Sequence, residues 1–244
     1  MTDGGDVLTC DVNGLTLGTM KLTSRRVSAI ALSLLIAAIS YLLVLGDGSD
    51  LDQPITPRTV ASTCDLSMTF VVGGTWDPTG AGTPRVPAGP RTNIVYPASI
   101  APFGGRTSGD ESIRQAKASL DMTARAFRTR CPNSAVNVVA YSLGAAAASD
   151  LVAVWAKDPV MAGNTWFTLI GNPKKPLDRA TGRGGIMGQL PTIIPGLTHT
   201  GFRPAAANVT EVCATLDVYC SATRDLRLVG AALGTYVFMQ HTMY

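Results

Sequence analysis

A chain of 244 residues, 46% of them hydrophobic, has room for one globular domain and a short additional segment. Its net charge of +3 and 6% aromatic content, with no basic patch interleaved by aromatic residues, argue against a nucleic-acid partner. No internal repeat and no heptad run are present, which argues against solenoid and coiled-coil architectures.

The first element in chain order is apolar. Val27 to Gly46 carries no charge and its twenty residues are about enough to span a bilayer as a helix. Lys21, Arg25 and Arg26 precede it and Asp47, Asp50 and Asp52 follow it, so the positive-inside rule places residues 1–26 in the cytoplasm and the rest of the chain outside. No small-x-small cleavage site stands before Asp47, which favours an uncleaved anchor over a secretory signal peptide. Met20-Lys21-Leu22 would itself make a signal-like beginning. Residues 47–63, polar and proline-containing, read as a linker to an outer domain over 64–244.

Met68 to Val72 is a β-run that ends in Gly73-Gly74-Thr75, and Arg91 to Tyr96 offers a second short strand. Pro97 to Gly105 is a loop. Ser108-Gly109-Asp110-Glu111 is a capping-box pattern, and Ile113, Ala116, Leu120, Ala124 and Phe127 recur behind it at helical spacing as far as Cys131-Pro132. Val136 to Ala140 reads as a buried parallel strand, and the alanine-rich Leu143 to Trp155 as a helix. A further strand is expected at Thr165 to Ile170, closed by Gly171-Asn172-Pro173. Lys174 to Asn208 is rich in glycine and proline and has no periodicity, so it reads as a long loop; Asp225 to Met239 reads as a helix. Strands alternating with helices predict an α/β fold with a mostly parallel sheet and helices on both faces. Ligands bind such sheets beyond the carboxyl ends of the strands, where Thr75, Ser142 and Asn172 are expected to share one rim.

The tight turn Ala140-Tyr141-Ser142-Leu143-Gly144 carries the chemistry. A serine on a strand-to-helix turn stands above the sheet edge, backed by the free N–H groups of a helix start, as in the nucleophile elbow G-x-S-x-G. A hydroxyl is a poor nucleophile until a base removes its proton, and the base needs a carboxylate to hold its tautomer. In α/β hydrolases the chain order is serine, then acid, then histidine, so if Asp217 is the acid for Ser142 only His241 obeys it, because His199 precedes Asp217. His199 reads as a polar loop residue, and the rival acids Glu211 and Asp225 as helix caps or surface charges. The backbone N–H of Leu143 and the N–H or hydroxyl of Thr75 are the candidate oxyanion donors. No metal-binding motif and no phosphate-binding loop occurs, and no cofactor is expected.

Cys10 has no partner on the inner side and is expected to be reduced, whereas Cys64, Cys131, Cys213 and Cys220 lie outside, where disulfides persist. Four cysteines permit three pairings. Cys213 and Cys220 could close a small loop around Asp217, which leaves Cys64 for Cys131.

Taken in order, these pieces resemble the PE-PPE domain of mycobacteria and related actinobacteria, a serine-esterase branch close to the cutinases. Val71-Val72-Gly73-Gly74-Thr75 is similar to that family's first strand and oxyanion turn, Val95-Tyr96-Pro97-Ala98 to its second strand, and Tyr141-Ser142-Leu143-Gly144-Ala145 to its Tyr-Ser-Gln-Gly-Ala elbow. Gly171-Asn172-Pro173, Gly184-Gly185-Ile186 and Pro195-Gly196-Leu197 resemble stretches special to PE-PPE domains. Cys213-x-x-x-Asp217-x-x-Cys220 resembles the acid-bearing loop of cutinases, Cys64 and Cys131 the positions that staple their first strand to the elbow strand, and His241-Thr242-Met243-Tyr244 the terminal base segment. Ala140 departs from the family's glycine and Leu143 from its glutamine; a backbone donor survives the second change and a side-chain donor does not. An apolar segment also stands where the family has its PE or PPE helices. The resemblance implies a cutinase-like α/β-hydrolase sandwich behind one transmembrane helix, monomeric, acting on a lipid or other acyl ester at the cell envelope. It leaves room for an acyltransferase that moves fatty acyl groups onto trehalose-type glycolipids, and for a catalytically dead envelope-binding domain.

Overall fold

The computed structural model describes residues 64–192, 194–214, 216–224 and 241–244. The expected anchor over 27–46, the linker, Cys10, Asp225 and the expected helix over 225–239 lie outside the described residues. Among the described residues no helix is long and apolar enough to cross a membrane.

Five strands form one parallel sheet: β1 (Ser67–Val72), β2 (Arg91–Ile94), β3 (Ala135–Tyr141), β4 (Thr165–Ile170) and β5 (Val209–Val212), in the spatial order β2-β1-β3-β4-β5. The helices that lie wholly within the described residues are α1 (Gly109–Arg130), α2 (Leu143–Trp155) and the single turn α3 (Ile186–Gln189). β1 and β3 occupy the middle of the sheet and pair in register from Ser67 opposite Ala135 to Val72 opposite Ala140, so the turns after both strands emerge at the same height.

The α1 periodicity read from the sequence is the buried stripe of that helix: Ile113, Ala116, Leu120, Ala124 and Phe127 all face the core. Phe127 packs edge-on against Phe70 of β1 at 5.9 Å, and Trp155 of α2 lies 5.4 Å from Phe167 of β4. Phe70, Val72, Val136, Val138, Ala140, Phe167 and Leu169 supply the sheet side of this core, each fully buried aliphatic or aromatic side chain contributing about 1.5–3 kcal/mol relative to exposure. The capping box closes on one side: Ser108 Oγ accepts the Glu111 N–H at 3.2 Å, while the Glu111 carboxylate reaches forward to Arg114 and Gln115. At its other end α1 stops at Cys131, before Pro132.

Three expectations are corrected, and one strand was not foreseen. The second strand ends at Ile94 rather than Tyr96, whose side chain is recruited to the first turn as described below. Both crossovers through α1 and α2 advance in the same direction across the sheet, so the right-handed rule puts these two helices on one face, and they pack together, while the expected helix over 225–239 lies outside the described residues. The segment 174–208 contains the turn α3 and is tied down by backbone hydrogen bonds, among them Gly185 N–H to Lys175 O at 2.9 Å and Arg203 N–H to Lys174 O at 2.7 Å. A strand, β5, follows it that hydropathy did not reveal, because Val-Thr-Glu-Val is too short and too polar to announce itself. Glu211, read as a cap or surface charge, lies on that strand, 14% exposed, and is ion-paired with the buried Arg203 at 2.8 Å.

Both disulfides are formed, Cys64–Cys131 and Cys213–Cys220. The first joins the chain just ahead of β1 to the C-cap of α1, 67 residues away. Cross-linking a loop of that length constrains the unfolded chain, and its loss is expected to cost about 3 kcal/mol. A Cys64→Ser/Cys131→Ser double variant should therefore melt roughly 6–12 °C lower than the parent protein by differential scanning calorimetry; a melting temperature unchanged within error would show that the bridge contributes no stability.

Candidate active site

The elbow forms between β3 and α2. Ser142 has φ 52° and ψ −117°, a left-handed backbone setting that an L-residue rarely adopts, and it caps α2 without a side-chain bond to the helix, which leaves its hydroxyl free for other partners. The family-type glycine two residues earlier is replaced by Ala140, and the turn accommodates it: Ala140 is fully buried and stays in register with Val72 on one side and Leu169 on the other. The demand for a bare backbone falls instead on Gly144. A Cβ there would stand 2.3 Å from Gly73 O and 2.8 Å from Val72 O, so the first turn of α2 lies directly against the end of β1.

That contact sets the start of α2, which carries one candidate oxyanion donor, against the strand end that leads into the turn carrying the other. Leu143 is buried in the first turn of α2, where the N–H groups have no acceptor within the helix. Thr75 is in the turn after β1, and the neighbouring Gly74 sits so close to the elbow that a Cβ on it would come within 3.1 Å of Ser142 Cβ. The turn is held from behind: Tyr96 donates its hydroxyl to Gly73 O at 2.6 Å, and the Trp76 N–H donates to Ala98 O at 2.7 Å. Burial pushes the Tyr96 phenol well above its ordinary range, with the Asp77 carboxylate adding to the effect, so it remains a donor.

Ser142, His241 and Asp217 are connected by hydrogen bonds. His241 Nε2 lies 2.7 Å from Ser142 Oγ, and His241 Nδ1 lies 2.8 Å from Asp217 Oδ2. The carboxylate accepts a hydrogen bond from Nδ1–H, which fixes the tautomer and leaves Nε2 as an acceptor for the serine hydroxyl. Asp217 is fully buried. A charge so placed needs donors, and it has three: His241 Nδ1–H, the Tyr219 N–H on Oδ1 at 2.9 Å, and the Tyr244 hydroxyl on Oδ2. The seven-residue span between Cys213 and Cys220 carries it there without a helix or strand to hold it.

The imidazole is enclosed by tyrosines and a glycine. Tyr141 is stacked on it, with ring centres 5.1 Å apart and planes 24° apart, and donates its hydroxyl to the His241 backbone carbonyl. Tyr219 lies 4.3 Å away on a tilted plane, and Tyr244 meets the ring edge-on at 6.3 Å. Burial, with the Asp217 charge adding to it, pushes the Tyr141 phenol up to about 12. Gly171, with φ 56°, closes the remaining side; a Cβ on it would lie 2.6 Å from His241 Cε1 and 3.2 Å from Asp217 Oδ2.

Asn172, expected on the rim with Thr75 and Ser142, follows β4 at that rim, but its side chain turns into the protein. It is fully buried, accepts from Ser149 Oγ at 3.1 Å and from the Lys174 N–H at 2.9 Å, and donates to Glu211 at 3.0 Å. Burial raises the Glu211 carboxyl above the ordinary range, an effect opposed by Arg203 and Asn172. His199 is a loop residue, with its N–H on Thr192 Oγ1 and its Nδ1 3.0 Å from Leu190 O. Among the described residues no group of His, Cys, Asp and Glu could hold a metal ion.

The supporting phenols of Tyr96, Tyr219 and Tyr244 are the functional groups that the sequence did not point out. Their motifs are visible, but a phenol's partner across the fold is not. Gly171 was noticed only as part of the strand-ending Gly-Asn-Pro, with no local sign that its bare backbone would lie against the imidazole. Its role predicts that Gly171→Ala displaces the imidazole: the rate of Ser142 labelling by a fluorophosphonate should fall about a hundredfold, as expected for a misplacement near 1 Å, with the circular dichroism spectrum retained. Undiminished labelling would mean that the imidazole and Gly171 are not in contact in solution.

Residues 86–237 match the family model described as Cutinase, well over half of the chain. The match includes the elbow and Asp217 and ends before His241. Among solved structures, the chain is similar to the catalytic core domain of acetyl xylan esterase from Trichoderma reesei, at 17% identity and a TM-score of 0.48, over 73% of this chain and 96% of that one. A cutinase-like protein from Cryptococcus sp. matches at 20% identity and a TM-score of 0.46, over 74% and 91%. Lysin B from mycobacteriophage D29 matches at 19% identity and a TM-score of 0.45, over 70% and 71%. No curated protein matches the sequence.

Proposed function

The chain belongs to the cutinase family, and on that premise we propose that it is a serine esterase that hydrolyses acyl esters of lipids through an acyl-enzyme on Ser142. In this reading His241 takes the Ser142 proton as the hydroxyl attacks the ester carbonyl and returns it to the leaving alcohol. Asp217 holds the imidazole in its reactive tautomer and stabilises the imidazolium. The Leu143 N–H and Thr75 receive the oxyanion. Water, deprotonated by the same imidazole, then releases the acid and frees the serine. The observation that carries the proposal is the unbroken hydrogen-bonded path from Ser142 through His241 to the buried Asp217 carboxylate.

The finer reading is a PE-PPE-like esterase held at the outer face of a cell membrane by the apolar segment over 27–46, or released from it if that segment is cleaved. Its acyl-enzyme accepts either water or the hydroxyl of a trehalose-type sugar, because both attack the same carbonyl from the same side. Products formed from a fatty-acyl donor with and without trehalose separate hydrolysis from transfer. Acylated trehalose in the first mixture would identify a transferase.

Two outcomes are expected. Ser142→Ala should abolish fluorophosphonate labelling and the hydrolysis of a p-nitrophenyl fatty-acyl ester, while Asp217→Asn should retain the fold and lower kcat by roughly 10⁴-fold. Ester hydrolysis that survives Ser142→Ala undiminished, or a parent protein inert to both the probe and the ester, would overturn the esterase proposal; the second result would favour a binding domain on an inactive scaffold.

A further inference from the structure

Tyr244 does more than close the site. Its hydroxyl donates to Asp217 Oδ2, the same oxygen that accepts His241 Nδ1–H, and it receives the Ala214 N–H at 3.0 Å. Among the described residues, Asp217 thus has one carboxylate oxygen serving two donors while the other accepts the Tyr219 N–H. A hydrogen bond to an oxygen withdraws part of its negative charge and lowers its ability to stabilise a neighbouring cation. The cation in question is the imidazolium that forms on His241 at each proton transfer.

We propose that Tyr244 is a positioning residue that sets the basicity of His241 through Asp217, by sharing the oxygen on which the imidazole depends. The inference rests on the esterase reading of Ser142, His241 and Asp217. Around the imidazole, Asp217 is the one charged group among the described residues whose side chain is hydrogen-bonded to the ring, and the titratable neighbours are the phenols of Tyr141, Tyr219 and Tyr244. Tyr141 contacts the ring by stacking and the His241 carbonyl by its hydroxyl, and Tyr219 contacts the ring by its face and Asp217 by its backbone N–H. Tyr244 alone among these phenols places its hydroxyl on the carboxylate. Burial, and then the bond to Asp217, push its phenol far above the ordinary range, so it stays protonated and donating at any pH at which the enzyme would be assayed.

The sign of the effect follows. With the hydroxyl removed, Oδ2 regains its full charge, the imidazolium is better stabilised, and the base holds its proton to higher pH. Tyr244→Phe should therefore move the acidic limb of the kcat/KM profile for a p-nitrophenyl ester upward by about half a unit to one unit. The plateau kcat, normalised to sites titrated with a fluorophosphonate, should fall roughly three- to tenfold as the carboxylate loses one of its anchors. Normalisation removes any share of protein that has failed to fold. An acidic limb unmoved in Tyr244→Phe, whatever the change in kcat or melting temperature, would leave Tyr244 a purely structural tie and overturn the inference. Hydrolysis by the parent protein that is lost in Ser142→Ala would at the same time keep the esterase reading standing, so the two failures are distinguishable.

Discussion

A fully buried carboxylate is the constraint from which the arrangement of this site follows. Asp217 has no water to solvate it, so its charge is tolerable only with donors in fixed positions. The Cys213–Cys220 bridge confines the backbone of its loop, and the Tyr219 N–H, the Tyr244 hydroxyl and the His241 imidazole supply the donors. Two of these are in turn fixed by something else, Tyr244 by the Ala214 N–H and His241 by the stacked Tyr141, while Gly171, lacking a side chain, leaves room for the ring and the Asp217 carboxylate together. The imidazole is held between the Asp217 carboxylate and the Ser142 hydroxyl, with one nitrogen committed to each.

The sheet contributes position rather than chemistry. Parallel register between β1 and β3 delivers the Gly73-Gly74-Thr75 turn and the Ser142 elbow at the same level. Gly144 then lets α2 begin against the backbone of that turn, and Gly74 lies close to the side chain of Ser142. The left-handed setting of Ser142 is tolerated because the packed sheet and helix on either side over-determine it. Two networks away from the rim keep this frame stiff. Arg128, buried under the amino ends of β3 and β4, donates to Pro132, Ser134, Gly163 and Asn164 carbonyls and to the Thr165 hydroxyl. The chain Ser149–Asn172–Glu211–Arg203 ties α2, the end of β4 and β5 together behind the imidazole.

Much of this was readable before folding, and for identifiable reasons. Period and turn chemistry are local, so α1 appears as a buried stripe of five residues, the central strands as β-branched runs, and the elbow as a serine between a strand and a run of helix formers. Cysteine spacing is nearly as local, which is why the loop around Asp217 could be outlined from Cys213 and Cys220. What stayed hidden depends on partners far away in the chain. β5 is too short and polar to be recognised alone and becomes a strand by pairing with β4. Glu211 looks like a surface charge until Arg203 folds over it.

Residue types, their order and their local spacing, with the family resemblance, were therefore sufficient to name an α/β sheet, a serine on a strand-to-helix turn and the histidine and aspartate hydrogen-bonded in line with it. Which face the helices α1 and α2 cover, which tyrosines stand around the imidazole, and why Gly171 and Gly144 must be bare arise from contacts between segments as much as a hundred residues apart, as between Tyr141 and His241. Distances of that kind depend on how helices and strands pack, and no pattern along the chain encodes them one residue at a time.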